Sequence, residues 1–205
     1  IADLLAGKET LGSGMRQEAE RCRLALARAA AGESVALVSS GDAGIYGMAG
    51  LALEMAAQER LNVRIEIVPG VTAASAAAAK LGAPLMLDYA AISLSDLLVP
   101  WKEIRARLAA ALKADFVIAL YNPKSHTRTQ PFAEAVKLAL KIRKPSTPVG
   151  IATALGQEDE RIELATLGRL GKADVTMRSI VILGNRRCRV LRGWFVNPRG
   201  YALGR

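Results

Sequence analysis

Val35-Ala36-Leu37-Val38-Ser39-Ser40-Gly41-Asp42-Ala43-Gly44-Ile45-Tyr46-Gly47 opens as an apolar run of buried-strand type, breaks into small residues around one carboxylate, and continues into a helical pattern. A strand that ends in glycines ahead of a helix is the repeating unit of an α/β fold, and ligands of such sheets bind beyond the strands' carboxyl ends. Gly41 and Gly44 remove Cβ bulk there and allow unusual φ/ψ values. Asp42 adds an acceptor. The stretch predicts a site for a polar small molecule that approaches the main chain closely.

The same strand, turn and helix order recurs on both sides of this stretch. Upstream, residues 15–31 carry Ala19, Cys22, Leu26 and Ala29 at helical spacing and stop at Gly32. Gly12-Ser13-Gly14 has no strand before it and Gln17 where a dinucleotide fingerprint needs its third glycine, so it reads as a helix start. Downstream come a helix over 45–60, a strand over 63–68, the Pro69-Gly70 turn, and a helix of small residues for which Thr72 is the natural N-cap. A change of texture at Ala83-Pro84-Leu85-Met86-Leu87-Asp88-Tyr89 predicts a hinge, with a first α/β domain over 1–87 and a second over 88–205. In the second, strands are expected at 91–94, 116–121, 148–153, 161–165 and 179–183, with helices at 101–113 and 130–143. Its consecutive late strands predict a mixed sheet.

Composition narrows the function. With 205 residues, 51% of them hydrophobic, the chain can bury a substantial core. Its longest uncharged run, 67–79, contains Pro69 and Gly70 and is too short to span a bilayer, so a cytoplasmic protein without a membrane partner is expected. The sequence opens on Ile1 rather than Met, and a preceding segment is expected. Two distant cysteines, Cys22 and Cys188, and a single histidine, His126, signal neither a disulfide framework nor a metal cluster. Twenty-eight Lys and Arg against 19 Asp and Glu give a formal charge of +9, which attracts anions. Aromatics make up only 4%, so the stacking platforms of a nucleic-acid binder are scarce, and a polycarboxylate or phosphate metabolite fits the charge equally well.

Four ordered motifs carry a family resemblance: Ser39-Ser40-Gly41-Asp42-Ala43-Gly44-Ile45-Tyr46-Gly47-Met48-Ala49, Pro69-Gly70-Val71-Thr72-Ala73, Leu120-Tyr121-Asn122-Pro123-Lys124-Ser125 and Gly150-Ile151-Ala152-Thr153-Ala154. Together they resemble the tetrapyrrole methylases. The first resembles the branch that methylates carbon 17 of a precorrin. The resemblance implies a two-domain α/β tetrapyrrole methylase fold, each domain a sheet flanked by helices, that acts as a homodimer with S-adenosyl-L-methionine in the interdomain cleft. It implies cofactor contacts, largely through main chain, at Gly41, Asp42, Ile45, Thr72, Ala73, Tyr121, Asn122, Ala152 and Thr153. Ala43 stands where much of the family has proline, and the family's opening strand with its Gly-rich turn has no counterpart here.

The implied reaction moves the sulfonium methyl to carbon 17 of precorrin-3B and contracts the ring to precorrin-4 on the route to cobalamin, leaving S-adenosyl-L-homocysteine. Positioning the methyl in line with an electron-rich carbon supplies much of the acceleration. Contraction needs a proton acceptor, for which Asp88 at the hinge and then His126 are the candidates. The anionic tetrapyrrole's carboxylates would suit Lys124 and Arg128. Alternatives are a methylase for another position of the macrocycle, a same-fold methylase acting on ribosomal RNA or a protein, and a catalytically silent nucleotide-binding module.

Overall fold

The computed structural model describes residues 4–12, 14 and 17–202. Two compact units divide the chain, Ile1–Val71 and Thr72–Arg205.

In the first unit, helices α1 (Glu18–Ala30) and α2 (Ala49–Gln58) bury Cys22, Leu26, Met48, Ala52, Met55 and Ala56 against one another. Met15, where the sequence places the first helical residue, lies outside the described residues. Helix α2 starts later than expected because 43–48 form turns: Ala49 N–H donates to the Ala43 carbonyl at 3.0 Å, and Tyr46 takes a left-handed φ of 55°. The runs 35–38 and 63–68, expected as strands, belong to no ladder among the described residues. A ladder needs a neighbour about 4.8 Å away. These runs instead flank a cavity of about 620 Å³ lined by every residue of 35–39 and 63–70.

The second unit holds two sheets. Helix α3 (Ala73–Leu81) leads into β1 (Gly82–Ala83), then β2 (Tyr89–Ser93), α4 (Trp101–Lys113), β3 (Val117–Tyr121), α5 (Gln130–Leu140), β4 (Pro148–Thr153), β5 (Arg161–Thr166), the short α6 (Leu167–Leu170), β6 (Ser179–Leu183), β7 (Arg189–Leu191) and β8 (Trp194–Val196). The larger sheet runs β2-β3-β6-β4-β5 and the smaller β1-β8-β7. Elements α6, β1, β7 and β8 are additional to those expected from the sequence. Because β1 pairs with β8, residues 83–89 lie within the second unit, and the compact-unit boundary falls N-terminal of the expected hinge.

Strand β6 separates β3 from β4 and runs antiparallel to both, while β2 is parallel to β3. This is the mixed sheet that the late strands predict. Alternation along the strands sorts its two faces. Ile118, Leu120, Val149, Ile151, Val181 and Leu183 join Leu108, Leu112 and Phe132 of α4 and α5. Val117, Ala119, Tyr121, Ile180 and Ile182 face Ala74, Ala77, Ala78 and Leu81 of α3. At about 1.5–3 kcal/mol for each fully buried large aliphatic, these two layers hold the sheet. The small side chains of α3 let it lie close. A Cβ at Gly150 would collide with the Leu81 side chain.

Among the described residues no helix is long and apolar enough to cross a membrane.

Candidate functional site

Strands β2, β3 and β4 run in one direction, so their carboxyl ends share one edge of the large sheet. That edge gathers Ser93, Tyr121, Asn122, Thr153 and Ala154, with Ser179 at the start of β6 opposite Thr153. Alternation turns Tyr121 toward α3, where its hydroxyl lies 2.5 Å from that of Thr72 and accepts the Ala74 N–H at 3.0 Å. An N-cap side chain normally takes that second helical amide. Here Thr72, the N-cap residue, makes no capping bond, and Tyr121 takes the amide instead. On the opposite face, the buried Thr153 and Ser179 hydroxyls lie 2.7 Å apart. The Asn122 side-chain amide donates to Ser93 Oγ at 3.0 Å.

Backbone conformation marks the same loops. Among the described residues, six non-glycine residues have positive φ. Arg60 and Asp115 close helices α2 and α4, and Arg192 lies in the β7–β8 turn, where left-handed residues are ordinary. The other three, Tyr46 (55°), Asn122 (48°) and Ala154 (54°), fall in the loops that the sequence motifs picked out. Unfavourable backbone of this kind persists where surrounding contacts over-determine it.

Within the first unit, Asp42 ties two of its loops together. One carboxylate oxygen accepts the Gly44 N–H at 2.8 Å and the other the Gly70 N–H at 2.9 Å. The Gly70 amide first, and Gly44 next, hold its carboxyl below the usual carboxylate range. Gly41 takes φ 79°, and a Cβ on Gly70 would strike the Gly41 carbonyl oxygen. Asp42 therefore braces main chain, where the sequence had suggested an acceptor for a ligand. The polar side chains of Asp42, Thr72, Tyr121 and Thr153 all bond to protein, which shapes their own loops.

Of the remaining expected residues, Ile45 is exposed, Ala73 is half-buried in the first turn of α3, and Ala152 is buried between β5 and β6. Lys124 lies over the Phe132 ring, 4.8 Å from its centroid. His126 is exposed in the loop after β3. The Arg128 guanidinium turns inward to backbone carbonyls. Asp88 is not brought to this edge. It precedes β2, whose first residue pairs with Val117, and with Asp115, Asn185 and Arg187 it lines a separate cavity of about 330 Å³ at the opposite end of the sheet. Ser93 and Ser179 were not singled out from the sequence, because only strand pairing brings them beside Asn122 and Thr153.

The family model described as Tetrapyrrole (Corrin/Porphyrin) Methylases matches residues 2–171. A Salmonella typhimurium protein described as "Probable cobalt-factor III C(17)-methyltransferase" is 48% identical over 196 residues, covering 96% of this chain and 81% of that protein. A Sinorhizobium precorrin-3B C(17)-methyltransferase is 43% identical, covering 88% and 72%. The crystal structure of the methyltransferase CobJ superposes with a TM-score of 0.86 at 34% identity, covering 94% of this chain and 81% of that one. Other relatives are longer: the chain spans 57% of one from Methanothermobacter thermautotrophicus and 38% of one from Priestia megaterium.

Proposed function

As this chain belongs to the tetrapyrrole (corrin/porphyrin) methylase family, we propose that it methylates carbon 17 of precorrin-3B with S-adenosyl-L-methionine and contracts the ring to precorrin-4, in cobalamin biosynthesis. The observation that carries the reading is the set of braced loops, in which Tyr46, Asn122 and Ala154 hold left-handed backbone beside small residues at the family's motifs. Such loops fit a ligand held by main chain. S-adenosylmethionine supplies an electrophilic methyl group when bound. Gly41, Asp42, Ile45, Thr72, Ala73, Tyr121, Asn122, Ala152 and Thr153 form the proposed cofactor set, with Asp42 and Tyr121 acting by holding their loops in shape.

The chain's part in the chemistry is to orient and to exclude water, since a methyl already bonded to a sulfonium needs alignment more than activation. Contraction requires removal of a hydroxyl proton from the macrocycle. Exposed His126, on the loop that follows Asn122, is the proposed acceptor ahead of Asp88. The formal +9 charge supports a polycarboxylate substrate, with Lys124 on the same loop as a proposed contact. A homodimer in the cytoplasm completes the proposal, its subunit count readable by sedimentation equilibrium.

A second reading, a cobalt-bearing macrocycle as substrate, is favoured by the description of the 48% identical Salmonella relative. Both are tested by incubating the protein with methyl-labelled cofactor and either precorrin-3B or cobalt-factor III. Label on carbon 17 of a contracted product supports the reading and identifies the substrate. Label at another carbon, or a methylated product with an uncontracted ring, overturns it.

A further inference from the structure

We infer that Arg128 is a positioning residue that clasps the carboxyl ends of β2 and β3 and fixes the Asn122 turn in its left-handed form. The inference rests on the proposed role of that turn in binding the cofactor. It replaces the expectation that Arg128 grips a substrate carboxylate.

The Arg128 side chain is only 15% exposed, and each of its guanidinium nitrogens faces a group of the protein. Nη1 donates to the Leu94 carbonyl at 2.7 Å and Nη2 to the Asn122 carbonyl at 2.8 Å, while Nε lies 3.8 Å from Asp96 Oδ1. Its own main chain is pinned as well. The Arg128 N–H donates to Ser125 Oγ and its carbonyl accepts the Ser125 N–H, both at 3.0 Å. The two clasped carbonyls belong to segments already joined where Leu94 N–H meets the Tyr121 carbonyl at 2.9 Å. A planar fork of donors therefore bridges the last turn of one strand to the last turn of its neighbour.

Asn122 gives the clasp its purpose. At φ 48° it holds a left-handed conformation, which asparagine tolerates better than most residues and which is fixed in one form only when contacts hold it there. A charged donor on its carbonyl is such a hold, stronger than a neutral one. The fork reaches two carbonyls at once, which a lysine ammonium on a flexible stem does not reproduce. Without the clasp the turn is free to relax, and a ligand must then order it on binding. That ordering cost falls on cofactor affinity.

The test compares the purified protein with its Arg128→Ala and Arg128→Lys forms. Three quantities are read: the calorimetric Kd for S-adenosylhomocysteine, the KM for the macrocycle, and amide exchange at 94–98 and 122–125. Arg128→Lys keeps the charge and most of the stem, so it serves if the alanine form does not fold. The expected result is a Kd raised about tenfold or more in both forms, in keeping with the loss of charged hydrogen bonds. Macrocycle KM stays within about twofold, and exchange accelerates at 122–125. A Kd within twofold of wild type, or a rise confined to macrocycle KM, overturns the clasp and returns Arg128 to the substrate. If wild type itself does not bind S-adenosylhomocysteine, the functional reading fails separately. Exchange then decides the clasp alone, and unchanged rates at 122–125 overturn it.

Discussion

The hydroxyl of Tyr121, the last residue of β3, lies 2.5 Å from that of Thr72, the residue before α3, and caps that helix in its place. Both side chains are buried, so the arrangement has an energetic signature. Tyr121→Phe removes a partner from both Thr72 and the Ala74 amide, and a loss of about 1–3 kcal/mol in denaturant unfolding is expected. A cycle with Thr72→Val gives a coupling energy of at least about 0.5 kcal/mol. Strictly additive losses would show that the contact contributes nothing.

Asp42 gives the first unit a pH dependence of defined sign. Its carboxyl is depressed by the Gly70 and Gly44 amides relative to about 3.9 in an unfolded chain. Its contribution is therefore fully present above that unfolded value and is lost as pH falls through the lower folded one. Asp42→Asn lowers stability at neutral pH, and its deficit against wild type shrinks on acidification below about pH 4. Thermal melts at pH 7 and pH 2.5 check this. Equal deficits at both would contradict it.

Two glycine substitutions should move stability in opposite directions. Gly70→Ala drives a methyl into the Gly41 carbonyl and costs about 1–3 kcal/mol. Gly50→Ala, in α2 where a Cβ meets open space, stabilises by up to about 1 kcal/mol. Urea unfolding of the two variants measures both. Equal effects would mean that the close approach of the two loops is not fixed.

Much of the second unit could be read in the sequence because its strands are apolar runs and its helices periodic. The matches at Pro148–Thr153 and Ser179–Leu183 follow from burial on both faces of one sheet, and the match at Trp101–Lys113 from the apolar stripe that packs on one of those faces. The first unit was harder. Runs 35–38 and 63–68 have strand composition, but composition does not supply a ladder partner, and here they border a cavity. The loops at 41–47 and 69–73 stand out by glycines and small residues, the one at 121–125 as a polar loop after a buried strand, and the one at 150–154 through the family resemblance. What their polar side chains do was not legible, because Thr153 with Ser179, Asn122 with Ser93 and Asp42 with Gly70 meet only through pairing or loop closure. Asp88 shows the same limit. Proximity in sequence to a hinge suggested chemistry, whereas parallel pairing with β3 fixes it at the far end.

That far placement can be tested in turnover. Five residue steps along the strand separate Asp88 from Ser93, roughly 16 Å at the usual rise. Asp88→Asn is expected to keep both methyl transfer and ring contraction within about threefold of wild type, a change of under about 1 kcal/mol in barrier. Methylated but uncontracted product from this variant would restore Asp88 as the proton acceptor.

The central proposal is that main chain in the motif loops, and not the cavity beside Asp88, receives the cofactor. Amide hydrogen exchange with and without S-adenosylhomocysteine tests it most directly. The account predicts slowed exchange at 41–47, 70–74, 121–124 and 153–156, with no change at 114–116 and 185–187. Protection confined to the opposite end, around Asp88, Asp115 and Arg187, would contradict it.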